Sequence, residues 1–106
     1  MPKFVFAYHG GNTDMTPEAG QAMMTQWRNW VAGLGAAMVD PGHAVGESIT
    51  ISPSGVAQDG GANPISGVSV VEAASLEAAT EMARVCPHIT LVEGSIEIAP
   101  VLDMDM

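Results

Sequence analysis

The segment Phe4-Val5-Phe6-Ala7-Tyr8 constrains the fold of this chain more than any other. Side chains of a strand point alternately to its two faces. Phe4, Phe6 and Tyr8 therefore share one face, and Val5, Ala7 and His9 share the other. Both faces are mostly apolar, so a strand built this way must be covered on two sides. Gly10-Gly11-Asn12 ends it. A layer of helices shields one face of a sheet; the second face needs a cover from elsewhere.

The remaining punctuation divides the chain into short elements. Thr16-Pro17-Glu18 is a helix start, with a capping hydroxyl, a proline suited to the first turn and an acid near the positive end of the dipole. Ala19, Met23, Trp27, Trp30, Val31 and Leu34 then recur at three- and four-residue spacing, and Gly33 and Gly35 supply the stop. Ala36 to Val39 is a short apolar run that Asp40-Pro41-Gly42 is expected to break. Ser48 to Ser52 reads as a strand, and Pro53 to Pro64 as a long surface loop. Ile65 to Glu72 reads as a strand with Val68 and Val70 facing together. Ser75 caps a second helix with Leu76, Ala79, Ala83 and Cys86 on its inner face, and Pro87 ends it. Ser95 to Ala99 is a final strand, followed by a frayed tail from Val101 to Met106.

The predicted order is β-α-β-β-β-α-β. With one middle strand as a hairpin extension, this is a ferredoxin-like split βαβ arrangement, α+β in class, with an antiparallel sheet and two helices on one face. The 106 residues form a single domain, 1–106. Only 14% of them are charged while 47% are hydrophobic, a low charge density for a small domain standing alone. Together with the doubly apolar first strand, this predicts a homodimer in which a second copy covers the open face.

Acidic residues outnumber basic ones 12 to 3, giving −9. Such a chain repels phosphate backbones and anionic bilayers, so neither nucleic acid nor membrane is an expected partner. No apolar stretch is long enough to span a bilayer. Cys86 is the one cysteine and cannot form an internal disulfide. The apolar run at the N-terminus is too short for a signal peptide, so the cytoplasm is the expected location.

Three stretches carry a family resemblance. The first is Phe4-Val5-Phe6-Ala7-Tyr8, followed by a helix bearing Trp27 and Trp30 with a glycine at its end. The second is Asp59-Gly60-Gly61 leading into the run from Ser66 to Ala73. The third is Ser75-Leu76-Glu77-Ala78-Ala79 running to Cys86-Pro87, then Gly94-Ser95-Ile96-Glu97-Ile98. In order and spacing the chain resembles the YCII-related family, in the branch named after an Asp-Gly-Pro-Phe motif. The resemblance covers nearly the whole chain. It implies a dimeric α+β barrel made of two ferredoxin-like units, with a pocket between the open sheet face and the partner. Some members eliminate chloride from hydroxylated chloro-aromatic rings with a His–Asp pair; others have no known activity, and some are linked to sigma factors. Two departures stand out. The loop motif lacks its Pro and Phe, and both dyad positions differ. The first helix has no histidine between Gln21 and Trp27, and Cys86 stands where an aspartate precedes the helix-ending proline.

Candidate chemistry is sparse. Asp40 could orient and charge His43 for general acid–base work, although Asp-Pro-Gly is also plain turn chemistry. Tyr8, His9 and Trp30 are candidate pocket residues, and Glu97 is a carboxylate that half-burial would turn into an acid. Cys86-Pro87-His88 offers too few ligands for a metal site, and no cofactor is expected. Two readings follow. One is a small-molecule-binding protein, extending to a cofactor-free, lyase-type acid–base enzyme on a small aromatic or acidic substrate. The other is a non-catalytic regulatory or assembly module.

Overall fold

A four-stranded sheet, a two-stranded hairpin and two main helices build the molecule, and the computed structural model describes residues 1–11 and 14–103. Strand β1 (Lys3–His9) leads into helix α1 (Pro17–Leu34), a 3-10 turn (Gly35–Ala37) and β2 (Met38–Ala44). A small hairpin follows, β3 (Thr50–Ser52) with β4 (Gly55–Ala57), then β5 (Ile65–Glu72). Helix α2 (Leu76–Arg84), the short α3 (Pro87–Thr90) and β6 (Ser95–Pro100) complete the chain. The main sheet is antiparallel in the order β2-β5-β1-β6. β5 thus lies between β1 and β2, and β1 lies between β5 and β6. This is the ferredoxin-like α+β arrangement the spacing predicts.

The alternation in β1 sets the two faces. Phe4, Phe6 and Tyr8 are buried against the helices, and Val5, Ala7 and His9 are half-buried on the opposite side. Register carries the same division across the sheet. Val71 and Ser69 sit beside Phe4 and Phe6, and Ile98 and Ile96 beside Phe6 and Tyr8, all toward the helices. Trp30 fastens α1 to this core: its ring stacks on Phe6 and its Nε1 donates to the Met82 carbonyl of α2 at 3.0 Å. Ala79, Ala83 and Cys86 give α2 and its end a flat inner surface, small enough for close approach to the sheet. Thr16 and Ser75 cap the two helices through their hydroxyls, on the Ala19 and Ala78 amides.

Four expectations need correction. Asp40-Pro41-Gly42 does not break a strand: β2 runs through it by way of two bulges. β2 is an edge strand, so Pro41 sacrifices no inner hydrogen bond, and the bulges absorb the extra residues. The loop read from Pro53 to Pro64 contains the second strand of a hairpin, and the strand read from Ser48 shortens to Thr50–Ser52. Helix α2 ends at Arg84, before Cys86, and Pro87 opens α3 instead, because proline suits a first helical position. Leu76 is 49% exposed rather than on the inner face, since α2 turns its alanine stripe to the sheet. Asn12 and the tail residues 104–106 lie outside the described residues.

Candidate functional site

At one end of the sheet, on its helix-covered face, α1 stands away from the strands and leaves a cleft of about 340 Å³. Met23, Met24 and Trp27 of α1 form one wall. Pro41 to Ala44 of β2 and Ser66 to Val68 of β5 form the other, and Tyr8 and His88 close the inner end. The cleft exists because β2 bulges. Gly42 adopts φ +71°, and a Cβ there would run into the Val68 carbonyl, so only glycine lets the edge strand lie this close to β5. Asp40 Oδ1 accepts from the Gly42 amide at 2.9 Å and holds the turn.

A buried hydrogen-bond chain anchors the same bulge. The Tyr8 hydroxyl donates to Ser69 Oγ at 2.9 Å, and Ser69 Oγ donates to the Pro41 carbonyl at 2.9 Å. Burial pushes the Tyr8 phenol well above its ordinary range, with the Ser69 hydrogen bond offsetting part of the effect. Tyr8 therefore stays protonated and serves as a fixed donor. Its ring meets Trp27 and His88 edge-on, at 5.4 and 5.3 Å between centroids.

His88 is buried, with its ring between Gly11 and Gly94. Its Nε2 lies 2.9 Å from the His9 carbonyl, which can only accept. Nε2 therefore carries the hydrogen, and in the neutral ring Nδ1 is left as an acceptor. Ser66 also lines the cleft, and its Oγ is buried with no hydrogen-bond partner among the described residues. Cys86 lies beneath this region, fully buried. Burial raises its thiol to about 11, against the pull of the His88 and Ile89 amides, so it is a thiol and not a nucleophile at neutral pH.

The residues singled out from the sequence fall into three places. Tyr8 and His43 line the cleft. Trp30 is in the core beneath it, and Trp27 supplies the aromatic wall instead. His9 and Glu97 lie together on the opposite, helix-free face, with Nε2 and Oε1 3.0 Å apart. His9 Nδ1 faces the Asn63 and Pro64 carbonyls at 3.0 and 3.2 Å. All three partners are acceptors, so the ring donates in whichever of these contacts it makes. Asp40 turns its carboxylate to Gly42. Met23, Met24, Ser66 and His88 complete the cleft without having been read as site residues. Of these, Met23 carried a signal in its place on the apolar stripe of α1, and His88 one in Cys86-Pro87-His88, where it was weighed only as a metal ligand.

A second hollow, of about 550 Å³, lies between the hairpin base and Gly10-Gly11, walled by loop residues that include Glu47, Asp59 and Pro64. Among the described residues, no three His, Cys, Asp or Glu side chains converge to hold a metal ion, and no helix is long and apolar enough to cross a membrane. No family model and no curated protein matches the chain.

Proposed function

We propose that this chain is a YCII-like homodimer that binds a small uncharged molecule with one aromatic ring in the cleft between α1 and the β2 bulge. The observation that carries the reading is the opposition of walls. Met23, Met24 and Trp27 offer a polarizable apolar surface, and His43 and Ser66 are the polar side chains of the strand wall across from it. The size fits: a cavity of about 150 Å³ holds benzene, so this one takes a single ring with substituents. The charge fits as well. Lys3, Arg28 and Arg84 are the only basic side chains apart from histidines, and none lines the cleft, so a carboxylate would enter without a lysine or arginine partner.

The dimer rests on the helix-free face of the sheet. Val5, Ala7, Val68, Val70 and Ala99 form its centre, an apolar surface that a second copy would remove from water. A catalytic version of the reading has one specific support. His88 lines the inner end with only its Nε2 committed, to the His9 carbonyl. Asp40 does not join it, being held at the Gly42 amide, and this favours binding without turnover.

Thermal unfolding in the presence of phenol, cyclohexanol and benzoate tests the reading. Phenol is expected to raise Tm with the logarithm of its concentration once that exceeds Kd, benzoate to leave it unchanged, and Trp27→Ala to abolish the phenol response. If no uncharged ring shifts Tm at millimolar concentration, the reading fails.

A further inference from the structure

The β3–β4 hairpin is out of place on a lone subunit. All six of its strand residues are exposed, and Ile51, 75% exposed, sits across from Val56, 57% exposed, so the two share a face. Ile49, just before β3, is 58% exposed. A two-stranded hairpin with nothing packed on it is marginal in water. Both of its edges are open, and no charged residue occurs from Ser48 to Gln58, although proteins usually guard open edges with charges. Its strand side chains hydrogen-bond only locally among the described residues: Thr50 Oγ1 donates to the Asp59 carbonyl at 2.7 Å, and Ser52 and Ser54 share a hydroxyl pair at 2.8 Å. The molecule is also more extended than a compact chain of this length: its radius of gyration is 15.0 Å, against about 13 Å.

We infer that this hairpin is an arm with which one copy of the chain clasps a second. The inference rests on the homodimer reading above and deepens it. Area is the first argument for that partner. The five small side chains at the centre of the helix-free face are already partly covered by the pleat. At about 25 cal/mol per Å² and 1.5–3 kcal/mol per fully buried residue, each could contribute roughly 60–120 Å² if wholly exposed, and about half that here. Their sum, roughly 150–300 Å², falls well short of the ~800 Å² that each partner buries in a stable interface. The contact has to extend beyond that centre, and the arm offers three large aliphatic side chains for it. Charge is the second argument. Two copies at −9 repel, and an uncharged arm adds nothing to that repulsion. Closure is the third. One chain carries both the arm and the open face, so a two-fold axis can satisfy both arms at once and leave no free end to grow a fibre.

Sedimentation equilibrium on the full chain tests this. The wild type is expected to be a dimer at micromolar concentration. The Ile51→Asp/Val56→Asp pair is expected to weaken dimerisation at least a hundredfold while leaving far-UV circular dichroism of the main sheet and helices intact. Should that pair fail to fold, Ile51→Thr/Val56→Thr keeps strand preference and is expected to weaken the dimer at least tenfold. Val5→Asp/Val70→Asp probes the sheet face separately. If this face variant becomes monomeric while both arm variants remain as tightly dimeric as wild type, the arm is overturned and the sheet-face dimer survives. If the wild type is itself monomeric at 100 μM on the order of typical assay limits, both fall.

Discussion

Ser69→Ala is the most informative single change, because Ser69 links the core to the cleft. Ser69 is 1% exposed; its Oγ accepts from Tyr8 and donates to the Pro41 carbonyl. Losing the bond to Pro41 costs about 1 kcal/mol, and stranding the buried Tyr8 hydroxyl costs about 1–3 kcal/mol more. The expected total is about 2–4 kcal/mol, a large share of the roughly 5–15 kcal/mol available to a domain of this size. Tyr8→Phe alone loses one hydrogen bond and costs about 1 kcal/mol. The double variant leaves no donor stranded, so it should be no less stable than Ser69→Ala, with a coupling of about 1–3 kcal/mol between the sites. Urea unfolding of the four proteins, with unchanged m values, measures this. Additivity within about 0.5 kcal/mol would refute the claim that the Tyr8 hydroxyl depends on Ser69.

Two further outcomes follow from the same geometry. Folding raises the Cys86 thiol from 9.0 to about 11, so below pH 9 both states hold the proton, and between pH 9 and 11 the unfolded chain releases it first. Stability should therefore fall across that window by about 2–3 kcal/mol, with Tyr8 adding in the same direction; Cys86→Ala should flatten part of the slope in urea midpoints measured at each pH. Gly42→Ala places a Cβ against the Val68 carbonyl at a residue with φ +71°, which costs about 1–2 kcal/mol for the backbone alone and more for the displaced strand. Denaturation should show a loss above about 2 kcal/mol together with loss of the ligand response, and a loss below about 1 kcal/mol would mean the bulge relaxes freely.

What could be read from the sequence was local. β5 has the limits that its Val and Ser pattern indicates, and Thr16 and Ser75 cap the helices because capping depends on a residue and its next three neighbours. The two-faced β1 was legible for the same reason: alternation needs no knowledge of the partner strands. Several of the misreadings involve information from afar. Asp-Pro-Gly ends a strand in most settings and fails to here only because β2 is at the sheet edge. The His9–Glu97 pair depends on the β1–β6 register, in which Ala7 lies opposite Glu97 and His9 opposite Ser95. His88 enters the cleft because α3 follows Pro87 and places its ring against Tyr8, a contact across 80 positions of chain. Asp40 and His43 are close in sequence, yet the carboxylate is taken by the Gly42 amide between them. Proximity along a bulged strand does not make a catalytic pair.

The claim at the centre of this account is that the cleft beside α1 receives a ligand. Methyl labelling measures it directly, since Met23 and Met24 line the cleft while Met38 and Met82 pack at the core. In methyl-13C methionine spectra, titration with phenol should shift the Met23 and Met24 signals along a saturable curve and leave Met38 and Met82 unmoved. Signals of Met23 and Met24 that stay fixed, or shifts spread evenly over all the methionines, would contradict it.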